Sequence, residues 1–145
     1  MIYLDTSVVV PLYCLEALTN TVEELLVNEP ELGLSDLARV EFSSAIARRV
    51  RMGEISRQSA RDIIEQFQAH IDAELYALIE VESIHYRIAR EWIGGLETSL
   101  RTLDALHLAI AYCRDITLVT ADAGLANSAG ALGVAVQLLE GTREL

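Results

Sequence analysis

Met1-Ile2-Tyr3-Leu4-Asp5-Thr6-Ser7 opens the chain, with Val8-Val9-Val10 directly behind it. Ile2, Tyr3 and Leu4 have high strand propensity, and no polar residue alternates with them. Such a run suits a strand covered on both faces, as in the middle of a parallel sheet. It ends abruptly at a carboxylate followed by two hydroxyl residues. Open α/β sheets bind ligands just beyond the carboxyl ends of their central strands, which is where Asp5 falls. An aspartate after a strand is equally an ordinary helix cap or turn residue. A catalytic reading therefore needs other carboxylates at the same edge.

Outward from this stretch, strand and helix signals alternate. Val8 to Tyr13 reads as a short apolar helix, with Pro11 tolerable only in its first turn. A helix over 17–26 carries Leu18, Val22, Leu25 and Leu26 on one face, and Leu32-Gly33-Leu34 is a short second strand. Ser35 or Asp36 caps a helix running from Leu37 to about Met52, with Val40, Ala47 and Val50 as its apolar stripe and Gly53 as its stop. Ser56 caps another, to about Asp72, with Ile63, Ile64, Phe67 and Ile71 at helical spacing. Glu74 to Val81, carrying Leu75, Tyr76, Ala77, Leu78 and Ile79, reads as a third strand, and Ser83 opens a helix ending at Gly94-Gly95. The segment 102–113 is apolar nearly all round, hence a buried helix. Ile116 to Thr120 is a β-branched strand, Asp122 opens a short helix ending near Gly130 or Gly133, and 134–138 is the last strand. Strands separated by helices predict a three-layer α/β/α sandwich around a central parallel sheet. The helical pair between strands two and three exceeds what a crossover needs and is expected to form a partner-facing clip.

Composition bounds the function. A chain of 145 residues, 52% of them hydrophobic, is expected to form one domain spanning 1–145 with a substantial core. No apolar run approaches the roughly 20 residues that span a bilayer, and no basic leader precedes the first strand, so a cytoplasmic location is expected. Cys14 and Cys113 lack both disulfide-framework and metal-motif spacing and read as small core residues. The net charge is −11, and all 11 basic residues are arginines. That balance excludes nucleic-acid binding through general basicity. It leaves open action on a polyanion once cations neutralise an acidic site, or masking by a basic partner.

Asp122 follows the strand 116–120 as Asp5 follows the first strand, so both belong at the carboxyl edge. Asp104 enters the most apolar helix in the chain, which is costly unless it caps, pairs or binds a cation. Glu41 lies about one turn into the helix after strand two. Asp5 and Asp122 also read as caps, Asp104 as a helix N-terminal acid and Glu41 as a solvated residue. If all four share one rim, they repel one another and raise one another's pKa unless a cation is present. An oxygen-only set suits Mg²⁺ or Mn²⁺ rather than zinc.

With these residues in place, the chain resembles the PIN-domain ribonucleases, and in particular the VapC toxins of toxin–antitoxin pairs. The matching pieces are Tyr3-Leu4-Asp5-Thr6-Ser7, Arg39-Val40-Glu41-Phe42, Thr102-Leu103-Asp104-Ala105-Leu106-His107-Leu108-Ala109 and Leu118-Val119-Thr120-Ala121-Asp122, with Leu132-Gly133-Val134 as the final turn and strand. Together, in order, they cover essentially the whole chain. The resemblance implies a metal-dependent endoribonuclease acting as the toxin of a type II pair on tRNA or another structured RNA. Asp5, Glu41, Asp104 and Asp122 would be its acidic quartet on Mg²⁺ (or Mn²⁺), supported by the hydroxyls of Ser7 and Thr120. It also implies a cognate antitoxin and a homodimer. Ala123 departs from the pattern, standing where relatives often carry a basic residue. Arg39, Arg48, Arg49, Arg51 and Arg101 are the candidates to contact RNA in its place, although Arg48, Arg49 and Arg51 also suit a helix C-terminus. His107 is one turn from Asp104 and reads as a packed, satisfied histidine, and Trp92 and Phe67 as core or dimer surface.

Other folds that open on a strand ending in Asp fit less well. A haloacid-dehalogenase-type phosphatase needs a second Asp at position 7, which is Ser7. A response-regulator receiver needs paired acids and a lysine, and the chain has no lysine. A dinucleotide-binding fold needs Gly-x-Gly-x-x-Gly after the first strand. The competing reading from another class is a catalytically silent PIN-like binding or scaffold module.

Overall fold

A computed structural model describes residues 1–141 of the protein. Its sheet has five parallel strands, β1 (Ile2–Leu4), β2 (Leu32–Ser35), β3 (Ala77–Ile79), β4 (Thr117–Thr120) and β5 (Val136–Leu138), in the spatial order β3-β2-β1-β4-β5. The opening run is the middle strand. Tyr3 lies opposite Gly33 on one side and Leu118 on the other, and all three residues of β1 are buried. This double cover is why the run shows no polar alternation. Gly33 is required by close approach, because a Cβ there would sit 2.9 Å from Ile79 Cδ1 and 3.0 Å from the Ile2 carbonyl oxygen.

The pleat sends alternate residues of β1 to opposite layers. Ile2 and Leu4 join Leu34 and Val119 against the layer formed by α1 (Thr6–Val9), a 3-10 turn (Val10–Leu12), α2 (Thr19–Val27), α3 (Asp36–Arg51) and α4 (Arg57–Asp72). Tyr3 joins Leu118 and Ile79 against α5 (Ser83–Gly94), α6 (Thr102–Arg114) and α7 (Ala123–Ala131). The expected α/β/α sandwich is therefore the observed architecture. The chain builds β2 and β3 outward on one side of β1, then returns to lay β4 and β5 on the other. The strand order thus reverses between β1 and β4, the point where such sheets open a crevice at their carboxyl ends. Among the described residues, no helix is long and apolar enough to cross a membrane.

The fold departs from the sequence expectation in its details. The third strand is only Ala77–Ile79. Glu74 adopts a left-handed φ of 59° at the end of α4, and Leu75 and Leu78 are exposed. Helix α3 buries Ala38, Phe42 and Ile46 rather than Val40, which is 69% exposed, or Ala47, which is also exposed. Phe42 decides that rotation. Its ring lies 4.1 Å from that of Phe67 on α4 and meets Tyr13 edge-on at 5.4 Å, and aromatic rings gain both area and specific geometry from such contacts. Of the cysteines, Cys14 is buried as expected, but Cys113 is exposed. Gly53 and Gly133 take positive φ of 74° and 72° behind α3 and α7, as helix-stopping glycines do.

Because Phe42 joins α3, α4 and the turn after α1, Phe42→Ala should lower the unfolding free energy by about 3–5 kcal/mol. Urea unfolding followed by circular dichroism measures this. A loss under about 1 kcal/mol, the size of an ordinary substitution, would show that the cluster does not hold the helical pair.

Candidate active site at the carboxyl edge of the sheet

Asp5 leaves the end of β1 with its backbone N–H bonded to the Val119 carbonyl at 3.1 Å, which ties it to β4. It caps α1, as a post-strand aspartate commonly does. Its Oδ1 accepts from the Ser7 N–H at 3.0 Å, and its Oδ2 accepts from the Ser7 hydroxyl at 2.8 Å and from the Thr120 hydroxyl. These three donors hold a carboxylate that is only 7% exposed. Ser7 Oγ in turn accepts from the Ala121 N–H at 2.9 Å, and Thr120 Oγ1 accepts from the Asp122 N–H at 3.0 Å. The two hydroxyls therefore bolt the end of β1 to the loop after β4. Asp122 is exposed and caps α7, its Oδ1 accepting from the Leu125 N–H at 3.1 Å. For Asp5 and Asp122, capping and membership of the acidic rim are compatible.

Glu41 comes from the second turn of α3 and is held by two donors, Thr6 Oγ1 at 3.0 Å and His107 Nε2. The contact to His107 continues into the core. Tyr3 Oη lies 2.6 Å from His107 Nδ1 and 2.7 Å from Ser35 Oγ, and Ser35 Oγ accepts from the Ala38 N–H as the cap of α3. With Nε2–H donating to the carboxylate, Nδ1 is left facing the Tyr3 hydroxyl. Burial first, then the charges of Glu41 and Asp5, keeps Tyr3 a neutral phenol, against the pull of the Ser35 hydrogen bond. His107 is thus satisfied and packed, as expected, and also touches the site.

Neither Tyr3 nor Thr6 was legible as a site residue from its type. The available signal was spacing: Tyr3 is two residues before Asp5 on the same side of the strand, and His107 is three after Asp104 on one helix face.

Asp104 sits in the first turn of α6, half-buried, and its carboxylate accepts no hydrogen bond from the described residues. Its pKa is raised, chiefly by burial and then by the charges of Asp122 and Asp5, with Glu41 adding and His107 opposing. All four carboxylates therefore act within one electrostatic neighbourhood. Glu41 shows the opposite outcome. Burial alone would raise its pKa, but the His107 hydrogen bond and charge and the Thr6 hydroxyl hold it below the usual glutamate value.

Among the described residues, no group of three or more His, Cys, Asp and Glu side chains is placed to hold a metal ion together. The donor set nevertheless fits a hard divalent cation. It is all oxygen, it includes a carboxylate without a donor, and Mg²⁺ commonly takes only one or two protein carboxylates plus water.

Two hollows flank this rim. One, of about 520 Å³, has Thr6, Glu41, Arg48, Arg49 and Arg51 in its walls. The other, of about 320 Å³, has Arg101, Asp104 and Asp122. Arg48, Arg51 and Arg101 are exposed and make no ion pair among the described residues. Arg49 is held by Glu16 at 2.6 Å. Arg39 bonds Asp36 and Gln68, each at 2.9 Å, and lines neither hollow.

The chain matches the PIN domain family over residues 2–131 and belongs to it. No curated protein sequence matches it significantly. Among solved structures, it is similar to VapC20 of Mycobacterium tuberculosis, described as a sarcin-ricin loop cleaving toxin, with a TM-score of 0.71 and 19% identity over 93% of this chain and 97% of that one. FitAcB from Neisseria gonorrhoeae aligns with a TM-score of 0.67 and 19% identity over 94% and 96% of the two chains. VapBC2 from Rickettsia felis, solved on a DNA fragment from its promoter, aligns with a TM-score of 0.62 and 19% identity over 97% and 100%. At this identity the likeness is one of fold.

The two differently shifted carboxylates should give stability opposite pH dependences in metal-free buffer. A lowered pKa adds stability as pH rises from the folded value to the ordinary one, whereas a raised pKa removes it as pH rises from the ordinary value to the folded one. Relative to Glu41→Gln, the native protein should therefore gain stability as pH rises through the range below the usual glutamate value. Relative to Asp104→Asn, it should lose stability as pH rises above the usual aspartate value. Urea midpoints across pH 3–7 test both signs, and parallel curves for the two variants would show that the carboxylates do not share the rim as described.

Proposed function

We propose that the protein is a divalent-metal-dependent endoribonuclease that hydrolyses phosphodiester bonds in a structured RNA, and that it serves as the toxin of a type II toxin–antitoxin pair. The observation that carries this reading is Asp104, a half-buried carboxylate with no donor, facing three other acids on the carboxyl edge of a PIN-domain sheet.

Asp5 and Asp104 would hold Mg²⁺ or Mn²⁺ most directly, with Asp122 and Glu41 completing the set. Bound there, the cation supplies the acidity that makes water a nucleophile and the charge that offsets the leaving oxygen. The chain's own residues supply the geometry. Ser7 and Thr120 fix both oxygens of Asp5, and Thr6 and His107 fix Glu41. Preorganised groups cost little reorganisation at the moment of reaction. Arg48 and Arg51 on one flank and Arg101 on the other give the acidic rim local positive charge for substrate phosphates, whereas Arg49 and Arg39 already have partners. This distribution answers the objection raised by a net charge of −11, since attraction is needed only along the strand's path.

The same acidic surface suits a small basic antitoxin segment, and we place both partners and the RNA in the cytoplasm, with the toxin as a homodimer. The exposed Val40 and half-exposed Ile64 on the α3–α4 pair are the apolar positions that such a partner would cover.

Total tRNA and ribosomal RNA fragments incubated with antitoxin-free protein in Mg²⁺, Mn²⁺ or EDTA test the activity. Cleavage should need the cation and fall about a hundredfold or more in Asp5→Ala and Asp104→Asn, as loss of a charge-stabilising group does. Cleavage that persists in EDTA or in either variant contradicts the assignment. Folded, cation-binding protein that cuts no RNA points instead to a binding module.

A further inference from the structure

Strand β3 closes one end of the sheet and pairs only with β2. The backbone groups on its outer side have no strand partner among the described residues. Such a row of donors and acceptors is a template for another strand. The helical layer over it also stops short. Leu78 lies opposite Leu34, on the same face of the sheet, yet Leu34 is fully buried and Leu78 is 54% exposed. A hollow of about 670 Å³ lies between this edge and the end of α4. Ile71, Leu75 and Leu78 give its walls apolar surface, and Glu31, Asp72 and Glu74 give them negative charge. These three acids form no ion pair among the described residues, whereas Arg39 in the same walls is already held by Asp36.

Native sheets commonly keep edge strands short and flank them with charge, so that copies do not pair edge to edge. The short β3, with the exposed Glu74 and Glu80 on either side, fits that purpose. The exposed Leu75 and Leu78 do not, because apolar surface beside an open edge adds attraction. The two features together select the occupant. A second copy, at a net charge of −11 per chain, would bring further acids to an uncompensated acidic wall. A nucleic-acid strand has the wrong sign. An extended basic peptide satisfies the open backbone, the leucines and the acids at once.

We propose that this groove takes an extended, basic segment of a partner protein as a sixth strand beside β3. In this mode main-chain hydrogen bonds give affinity and alternate side chains give specificity. Apolar side chains on one face of the segment rest on Leu75 and Leu78, and arginines or lysines flanking it meet Glu31, Asp72 and Glu74. The hollow shares no lining residue with the two that flank the acidic rim, so docking here leaves the four carboxylates uncovered. The inference goes beyond the ribonuclease reading and holds whether or not the rim cuts RNA.

The test titrates the full-length protein into a fluorescein-labelled peptide of alternating valine and threonine with arginines at both ends, read by fluorescence anisotropy. Successive residues of a strand turn their N–H groups to opposite edges. Methylating the backbone nitrogens of the valines in one peptide, and of the threonines in another, therefore blocks one edge at a time. One methylated peptide should lose affinity about tenfold or more, the worth of one or two hydrogen bonds, and the other should keep it. Leu78→Ser and Asp72→Asn should each weaken the unmodified peptide several-fold. Glu23→Gln, the same charge change outside the groove, should not. Amide hydrogen exchange over 77–79 should slow in the complex. Equal affinity for the two methylated peptides, or equal weakening by Asp72→Asn and Glu23→Gln, would reveal unspecific attraction to an acidic protein and overturn the proposal. So would a native protein that binds no peptide. If in that case light scattering shows a dimer that Leu78→Ser converts to monomer, the edge belongs to a second copy instead.

Discussion

Repulsion between carboxylates at the carboxyl end of the β1–β4 pair is the constraint that the rest of this structure answers. Asp5, Glu41, Asp104 and Asp122 arrive from four separate elements, and their mutual charge pushes the pKa of Asp104 up after burial has already done so. Like charges in a partly buried site disperse or neutralise unless the scaffold holds them. Here the sheet holds one directly, through the Asp5 N–H on Val119, and two hydroxyls cross-brace the strand ends. Glu41 is braced from the core by Thr6 and by His107, which is itself fixed by Tyr3 and Ser35. Asp104 is left without a donor, and the proposed cation site rests on that asymmetry.

The topology explains why these groups meet. Parallel strands all point their carboxyl ends the same way, and the reversal of strand order between β1 and β4 opens space there. Each polar residue that follows a strand is then delivered to one rim, whatever its distance in sequence. Small shifts of the supporting elements would move the acids, which is why residues that never reach solvent, such as Tyr3 and Leu118, matter to the site. Their burial against α6 fixes the helix that carries both Asp104 and His107.

The sequence made some of this legible and hid the rest. The apolar run Ile2-Tyr3-Leu4, the β-branched run before Thr120 and the intervening helices were sufficient for the sandwich and for placing Asp5 and Asp122 at one edge. Where several hydrophobic residues compete to face the core, type alone did not decide. Val40 looked like core, but Phe42 turns α3 the other way by packing its ring against Phe67. Leu75 looked like strand, but the left-handed Glu74 and the single neighbour of β3 shorten it to Ala77–Ile79. Among the arginines, sequence listed candidates without showing which were free. Arg49 and Arg39 pair locally, while Arg48, Arg51 and Arg101 line the rim's flanks. The braces on Glu41 were hidden for a similar reason, since a tyrosine in a strand and a histidine in a buried helix read first as packing.

The central claim is that the rim is built for a divalent cation, and the most direct test of it is thermal unfolding as a function of Mn²⁺ or Mg²⁺ for the native protein and Asp104→Asn. Ligand binding to the folded state stabilises by an amount that grows with concentration, about 2.7 kcal/mol at a hundredfold excess over the dissociation constant. The account predicts a midpoint that climbs with cation in the native protein and stays nearly flat in Asp104→Asn. A native midpoint indifferent to cation, or an equal rise in both proteins, would contradict it.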